Sequence, residues 1–374
     1  MSSESRVPQL KKVDKLTITF LVDNSIEWFT KLPPGFSHEI KTHIQDKHFE
    51  TDQQTEVPIL DFDKCCCGAH GFSALIETSS SDSSASKYTL FDTGPDSTTL
   101  VRNISAMHIP PTNITRIITS HWHSDHTGGL LSFLNHRRQY SESQTESTPA
   151  ECVVDVHPDR PIARGIAPGP TFSKVIARLR EDPTFDGIEK AGGVVEKHPE
   201  GHLVADGTVW VSGEIPRVTD FEADGLRGGM RWFQDEQWKP EPHIMDERFA
   251  AIDVAGKGLV VFSACSHAGI INVVKDLLST FGFTRPLYMI IGGLHLAGDD
   301  MAPRIQPTVE FLSKTLRPSP TYVLPMHCTG FQAKVALENE LGSGVVPAGV
   351  GIKVEVVGDA QLEESGRLGG AVFQ

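Results

Sequence analysis

The sequence predicts an α/β fold of layered strands and helices with loop insertions. Three observations carry this expectation. β-rich apolar runs alternate with runs of helical periodicity along most of the 374 residues. The hydrophobic share of 39% against 22% charged residues is enough for a real core. A looser pattern also recurs, in which a strand ends and a His or Asp follows at once, at Asp92, His121, His267, His295 and His327. In layered α/β folds ligand sites gather at one set of strand ends, so these residues point to one edge of a sheet. The length exceeds that of a usual domain and fits either one sandwich with insertions or two modest domains. We expect one domain over 1–374, with a lid or insertion at 157–250.

The elements follow in order. Residues 15–23 (KLTITFLVD) read as an opening strand, and 72–78 and 88–92 as a pair of strands joined by a Ser-rich mobile connection at 79–87. Residues 114–119 form a short apolar strand that runs straight into Ser120-His-Trp-His-Ser-Asp-His126. Leu130, Leu131, Phe133 and Leu134 give 127–138 the apolar face of a helix, and 139–150 is a polar loop. Strands are expected at 152–157, 204–212, 259–264, 287–291, 321–324 and 350–357, and helices at 268–278 and 307–315. The Gly- and Pro-rich stretch 157–250, with Trp232, Phe233 and Trp238, reads as a cap over a site rather than part of the sheet framework.

Composition excludes several classes. Lys plus Arg is 34 and Asp plus Glu 48, a formal charge of −14, which argues against a surface built for nucleic acid or anionic lipid. No apolar run approaches the roughly 20 residues needed to cross a bilayer, and the polar start MSSESRVPQLKKVDK lacks a secretory apolar core. The six cysteines (65, 66, 67, 152, 265 and 328) include three in a row and no CxxC pair, a poor basis for disulfides. Reduced thiols and a cytoplasmic location are therefore expected.

The chemistry is concentrated in His121-x-His123-x-Asp125-His126. Two His at i and i+2 can project from a short loop toward one cation, while Asp125 and His126 lie on the next turn and reach a second. Imidazole nitrogen and carboxylate oxygen suit Zn²⁺ first, and also Mn²⁺ or Fe. Gly128 and Gly129 permit a tight turn into the following helix. A polar loop with surface His is the bland alternative, and four such residues within six positions argue against it.

FDTG at 91–94 followed by SHWHSDHTGGL resembles the metallo-β-lactamase superfamily, whose fold is an αββα sandwich with a dinuclear site at one edge. LVDN (21–24), HGFSALIE (70–77), GEIPR (213–217), CSHAGIIN (265–272), GGLHL (292–296) and HCTG (327–330) occur in the order of one subgroup. That subgroup is the one labelled 7,8-dihydropterin-6-methyl-4-(β-D-ribofuranosyl)aminobenzene-5′-phosphate synthase, or metal-dependent hydrolase of the lactamase superfamily. The resemblance implies one or two divalent ions held by His121, His123, Asp125, His126, His267 and His327. His121 and His123 would share one ion with His267 or His327, and Asp125 and His126 the other ion with the remaining His. Many members of the superfamily place a bridging Asp after the preceding strand, where this chain has Ser263-Ala-Cys-Ser-His267.

Other residues carry two readings each. Asp92 either orients the His ligands by hydrogen bonds or simply forms a turn before Gly94. His295 contacts substrate, donates a proton or binds metal, or is a satisfied His at a strand end. His70 faces the same edge or is a turn residue. Arg217 grips a phosphate or carboxylate, or forms a structural ion pair. Trp232, with Phe233 and Trp238, stacks on a flat substrate or packs the lid. Cys265 and Cys328 flank proposed ligands and read as small buried thiols rather than ligands. Thiolates of Cys65–Cys67 should not converge, because successive residues of extended chain alternate in direction.

The expected function is a metal-dependent hydrolase. A metal-activated hydroxide would attack an ester, lactone, thioester or phosphoester-type small molecule, with Asp125 and His295 in catalytic roles. The subgroup label implies a second reading, a synthase-type transferase joining a dihydropterin to a ribosyl-aminobenzene phosphate. A third is a non-catalytic metal- or ligand-binding regulator on the same scaffold.

Overall fold

The computed structural model describes residues 7–81, 85–144, 150–226, 229–366 and 368–374. Two sheets lie face to face. One has eight strands in the order Gly193–Lys197, Cys152–Val156, Ile114–Ile118, Lys87–Phe91, Ser73–Ser79, Lys15–Val22, Lys353–Val357 and Phe36–Ser37. The other has seven: His202–Val204, Val209–Val211, Ala250–Val254, Gly258–Ser263, Leu287–Gly293 and Tyr322–Met326 in order, with Lys12–Val13 pairing to Ala250–Val254.

The period-2 alternation of the strands builds the layers. In Lys15–Val22 the side chains of Leu16, Ile18 and Phe20 enter the inter-sheet core, while Leu21 enters the outer cluster beneath the helices. In Gly258–Ser263, Val260 and Phe262 face the same inter-sheet core, and Leu259 and Val261 face the opposite outer cluster. Helices Thr99–Ala106 and Leu130–Ser143 supply Leu100, Ile104, Leu130 and Phe133 to one outer cluster. Helices Ile270–Thr280 and Phe331–Leu341 supply Val273, Leu277, Ala333 and Leu337 to the other. The result is the helix–sheet–sheet–helix sandwich that the motifs imply.

Several boundaries differ from the sequence expectation. The helix placed at 127–138 is a short helix Ser124–Thr127 and then Leu130–Ser143, so it continues into the stretch read as a loop at 139–150. No Gly or Pro interrupts it before Pro149, and the Arg137 guanidinium ties it down by donating to the Ile114 and Ala150 carbonyls at 3.1 and 2.5 Å. Residues 145–149 of that loop, and 82–84 of the Ser-rich connection, lie outside the described residues. The helix expected from 268 starts at Ile270, because Gly269 has φ +97° and the Glu222 carboxylate accepts from Ile271 N and Asn272 N. The segment 157–250 divides. Val209–Val211 lies within the strand expected at 204–212, and Gly193–Lys197 and His202–Val204 are further framework strands, so the cap reading does not hold for the whole stretch. Only Arg164–Ile166, Ala177–Arg178, Met230–Gln234 and Gln237–Pro240 form a separate four-stranded sheet.

A buried ion pair fastens the two sheets at the edge where the site lies. The Arg248 guanidinium donates to Asp155 Oδ1 (2.8 Å) and to the Thr119 carbonyl (2.7 Å), and Arg248 N donates to the Ser120 carbonyl at 2.8 Å. Asp155 is the penultimate residue of strand Cys152–Val156 in one sheet and Arg248 precedes strand Ala250–Val254 of the other, both with no exposed surface. Burial pushes the Asp155 carboxyl up, but His202 and Arg248 outweigh it and hold it at about 2. Because that value lies below the ordinary 3.8, the stability it contributes is complete above that pH and is lost as the pH falls toward about 2. Asp155→Ala leaves a buried guanidinium unpaired and should cost about 3–5 kcal/mol in urea unfolding. Asp155→Asn should flatten the acid limb of stability between about pH 4 and 2. Equal acid limbs in the wild type and this variant would contradict the assignment.

Candidate metal centre

Strand Ile114–Ile118 delivers the chain to the sheet edge, where Ser120–His123 form a tight loop ahead of the short helix Ser124–Thr127. Thr93 N and Thr93 Oγ1 both donate to the His126 carbonyl, at 2.8 and 2.9 Å, which docks that helix on the turn after Phe91. Gly128 and Gly129 are required by close packing. A Cβ on either would stand 2.1 Å from a carbonyl oxygen, of Pro95 or of Thr93.

The donor atoms converge in two adjoining groups. His121, His123 and His267 offer ring nitrogens within 4.8 Å of one another. Asp125 Oδ2 lies 3.6 Å from His126 Nε2 and 3.4 Å from His327 Nε2. The alternative left open by the sequence thus divides by proximity, with His267 beside His121 and His123, and His327 beside Asp125 and His126. Both ring nitrogens of His267 and the Nε2 of His123 are buried without a hydrogen-bond partner. Buried polar atoms are rarely left so, and two imidazoles aimed into one space fit a cation. The donor set of nitrogen and carboxylate oxygen suits Zn²⁺, Mn²⁺ or Fe.

The rings of His121, His126 and His327 are oriented from behind. Asp92, fully buried, accepts from Ser120 N (2.6 Å), Ser120 Oγ (2.7 Å) and His126 Nδ1 (2.8 Å). Ser120 Oγ in turn sits 2.8 Å from His121 Nδ1. With Nδ1 engaged, His126 presents Nε2 to the site, which is what a neutral imidazole ligand needs. His327 is held by Asn24 Oδ1 at its Nδ1 (3.0 Å) and by Asp23 Oδ1 at its backbone N (2.8 Å). Glu247 accepts from the backbone N of His267 and of Ala268, both at 2.7 Å. Asp246 accepts from Trp122 N at 2.6 Å and pairs with the buried Arg164, which also grips Glu241. Sequence reasoning missed Asp23, Asn24, Arg164, Asp246 and Glu247. Only the LVDN motif carried a signal, and it was read as a family mark without a role.

The remaining predicted residues separate. His295 and His70 line the cavity above the site together with His123, Asp125, His267 and His327. His295 is buried at Nδ1 without a partner. His70 is exposed, with Asn24 Nδ2 3.1 Å from its Nδ1 and Asp125 3.8 Å from its Nε2. Arg217 and Trp232 are not among the residues that line this cavity. Arg217 faces Met245, its Nη1 3.6 Å from the sulfur, and Trp232 lines a neighbouring cavity with Arg160 and His243. Phe233 and Trp238 pack edge to face at 5.2 Å inside the small sheet, the packing alternative for the aromatic group.

Charge supports ligation. Burial holds the imidazoles of His121, His123 and His267 well below their ordinary range, so their lone pairs are free. Burial pushes the Asp125 carboxyl up, but His126 and His327 outweigh it and keep it ionised. Burial pulls His126 down, yet Asp125 and Asp92 together raise it to about 9. A cation beside Nε2 would reverse that balance and displace the proton.

Comparison with known proteins agrees with this geometry. Residues 71–218 match the family model described as the metallo-beta-lactamase superfamily. The chain is 29% identical over 269 residues to a protein of Methanocaldococcus jannaschii named 7,8-dihydropterin-6-methyl-4-(beta-D-ribofuranosyl)-aminobenzene-5′-phosphate synthase, covering 71% of this chain and 82% of that one. An uncharacterised protein of the same archaeon is 29% identical over 276 residues, covering 72% of this chain and 87% of its own length. In fold, the chain is similar to a metal-dependent hydrolase of the β-lactamase superfamily, with a TM-score of 0.61 at 20% identity over 91% of this chain and 99% of that one. Family model, fold and motif order together make residues 71–218 similar to the metallo-β-lactamase superfamily, and most of the chain similar to the archaeal relative named as the dihydropterin synthase.

Proposed function

We propose that the protein is a metal-dependent hydrolase with a dinuclear centre, zinc being the first candidate, acting on a small ester, lactone, thioester or phosphoester. The observation that carries this reading is the convergence of His121, His123, His267, Asp125, His126 and His327, of which His123, Asp125, His267 and His327 line a cavity of about 610 Å³, with buried ring nitrogens left unpartnered. The same cavity is lined by Ile166, Leu179, Leu226, Met230 and Met301, so it offers apolar surface beside the polar donors. The six cysteines are all free, in keeping with a reducing, cytoplasm-like compartment.

Divalent ions bound there would supply Lewis acidity, lowering the pKa of water and polarising the scissile group. The chain's own residues do the rest. Asp92, Ser120 and Asn24 fix which nitrogen His126, His121 and His327 present, so these donors are aligned before substrate arrives. Leu179, Leu226 and Met230 pack against the substrate's apolar part and exclude water from it. His295, at the cavity wall, hands a proton to the leaving oxygen or sulfur. The synthase reading is favoured by one observation, the name of the 29% identical archaeal relative. Incubation with a dihydropterin pyrophosphate and a ribosyl-aminobenzene phosphate, followed by mass spectrometry, separates the two readings. A condensation product with no hydrolysis of the ester, lactone and phosphoester panel favours the synthase.

His121→Ala and Asp125→Ala should bring hydrolysis to background while circular dichroism stays native. Full turnover by a folded, metal-stripped sample would overturn the mechanism. His295→Gln should lower kcat about 10²–10⁴-fold with metal content unchanged. Asp92→Asn removes the anion behind two ligands and should weaken metal affinity about 10–100-fold, read by chelator competition.

A further inference from the structure

Cys265 stands two residues beyond strand Gly258–Ser263 and is 3% exposed. Its Sγ lies 3.1 Å from His126 Nε2, the nitrogen that Asp92 leaves free. The sulfur shares a 4.8 Å set with His121 and His126, a second with His267 and His295, and a third with His327 and Cys328. It therefore stands within 4.8 Å of donors of both groups, His267 on one side and His327 on the other. A nitrogen and a sulfur bound to one tetrahedral Zn²⁺ stand about 3.6 Å apart, from bond lengths of about 2.1 and 2.3 Å. The 3.1 Å found here needs only a small opening. The buried His267, with neither ring nitrogen partnered, points into the same space.

The backbone holds this position. Ser266 has φ +60°, with its Oγ donating to the Gly293 carbonyl at 2.7 Å. Glu247 accepts from the next two backbone amides. Gly293 is hemmed in on the other side, where a Cβ would meet Cys328 Sγ at 2.5 Å and Cys265 Cα at 3.3 Å. The loop thus approaches the neighbouring strand end as closely as two backbones can.

We infer that Cys265 is a thiolate ligand shared between the two cation positions. The inference rests on the dinuclear reading above. Binding replaces the S–H bond by bonds from sulfur to the two ions, and the proton leaves to solvent. A sulfur at the centre of the site makes it select soft or borderline cations such as Zn²⁺, Co²⁺ and Cd²⁺ over Mg²⁺ and Mn²⁺.

The test uses the full chain, stripped and reloaded with two equivalents of Co²⁺ or Zn²⁺. The wild type and Cys328→Ser should show a near-ultraviolet sulfur-to-cobalt charge-transfer band that Cys265→Ser loses while still binding cobalt. In zinc-loaded Cys328→Ser, X-ray absorption should give one sulfur per zinc at about 2.3 Å, where a sulfur on a single ion gives half that. This second measurement stands even if Cys265→Ser does not fold. Unchanged spectra in folded, cobalt-loaded Cys265→Ser, or a zinc shell of nitrogen and oxygen alone, overturn the inference and leave the dinuclear reading intact. A sulfur shell at half occupancy overturns the sharing. Failure of the wild type to bind either ion overturns both.

Discussion

The site depends on one buried carboxylate. Asp92 sits just past strand Lys87–Phe91, has no exposed surface, and is held with φ +60°. It accepts from Ser120 N, Ser120 Oγ and His126 Nδ1, and Ser120 Oγ carries its influence to His121 Nδ1. One anion therefore sets the ring orientation of a histidine in each donor group. An unpaired buried charge costs several kcal/mol, so Asp92 persists only because it is hydrogen-bonded on both oxygens. The strands on either side exist for reasons of packing, and the chemistry is added at their ends.

The same economy of buried polar groups joins distant parts of the chain. Asp23, in the turn after Lys15–Val22, fixes the backbone of His327 across 304 residues, and Arg248 joins Asp155 across 93. Arg164 spans Glu241 and Asp246, and Asp246 holds the amide of Trp122 between the two first histidines. Burial pushes the Asp23 carboxyl above its ordinary value, and its amide partners at His327 and Ser25 oppose that shift. Each link is polar and buried, so breaking one partner leaves the other stranded in a medium that solvates it poorly.

This explains what could be read from the sequence. His121, His123, Asp125 and His126 are local, and their spacing alone forces them together. His267, His295 and His327 were legible because each follows an apolar strand, and the strands lie side by side in one sheet. The layers were legible through period-2 alternation. The orienting residues were not, since Asp23, Asp246 and Arg248 reach their partners only through tertiary contact, and an isolated Asp or Arg carries no period. Arg217 and Trp232 were singled out by motif match and composition, and neither signal states which way a side chain points. Cys265 was read as a small buried thiol, correctly for its burial, while its distance to His126 needed coordinates.

Strain marks the same edge. Asp92, Ser266, His295 and His327 all have positive φ, at +60°, +60°, +47° and +44°. A non-glycine residue there costs of order 1–3 kcal/mol, so four at one site represent a substantial fraction of a domain's net stability. Such conformations survive only where surroundings over-determine them. Here Asp92 N donates to the Ile118 carbonyl, Ser266 Oγ to the Gly293 carbonyl, and His327 N to Asp23. All these partners belong to the protein itself, and three apolar clusters lie behind them. The positions of the donor residues are therefore held by hydrogen bonds within the fold. Rigid strand ends of this kind restrict the distances and angles at which the donor atoms can stand, because none of them can shift without breaking a buried hydrogen bond.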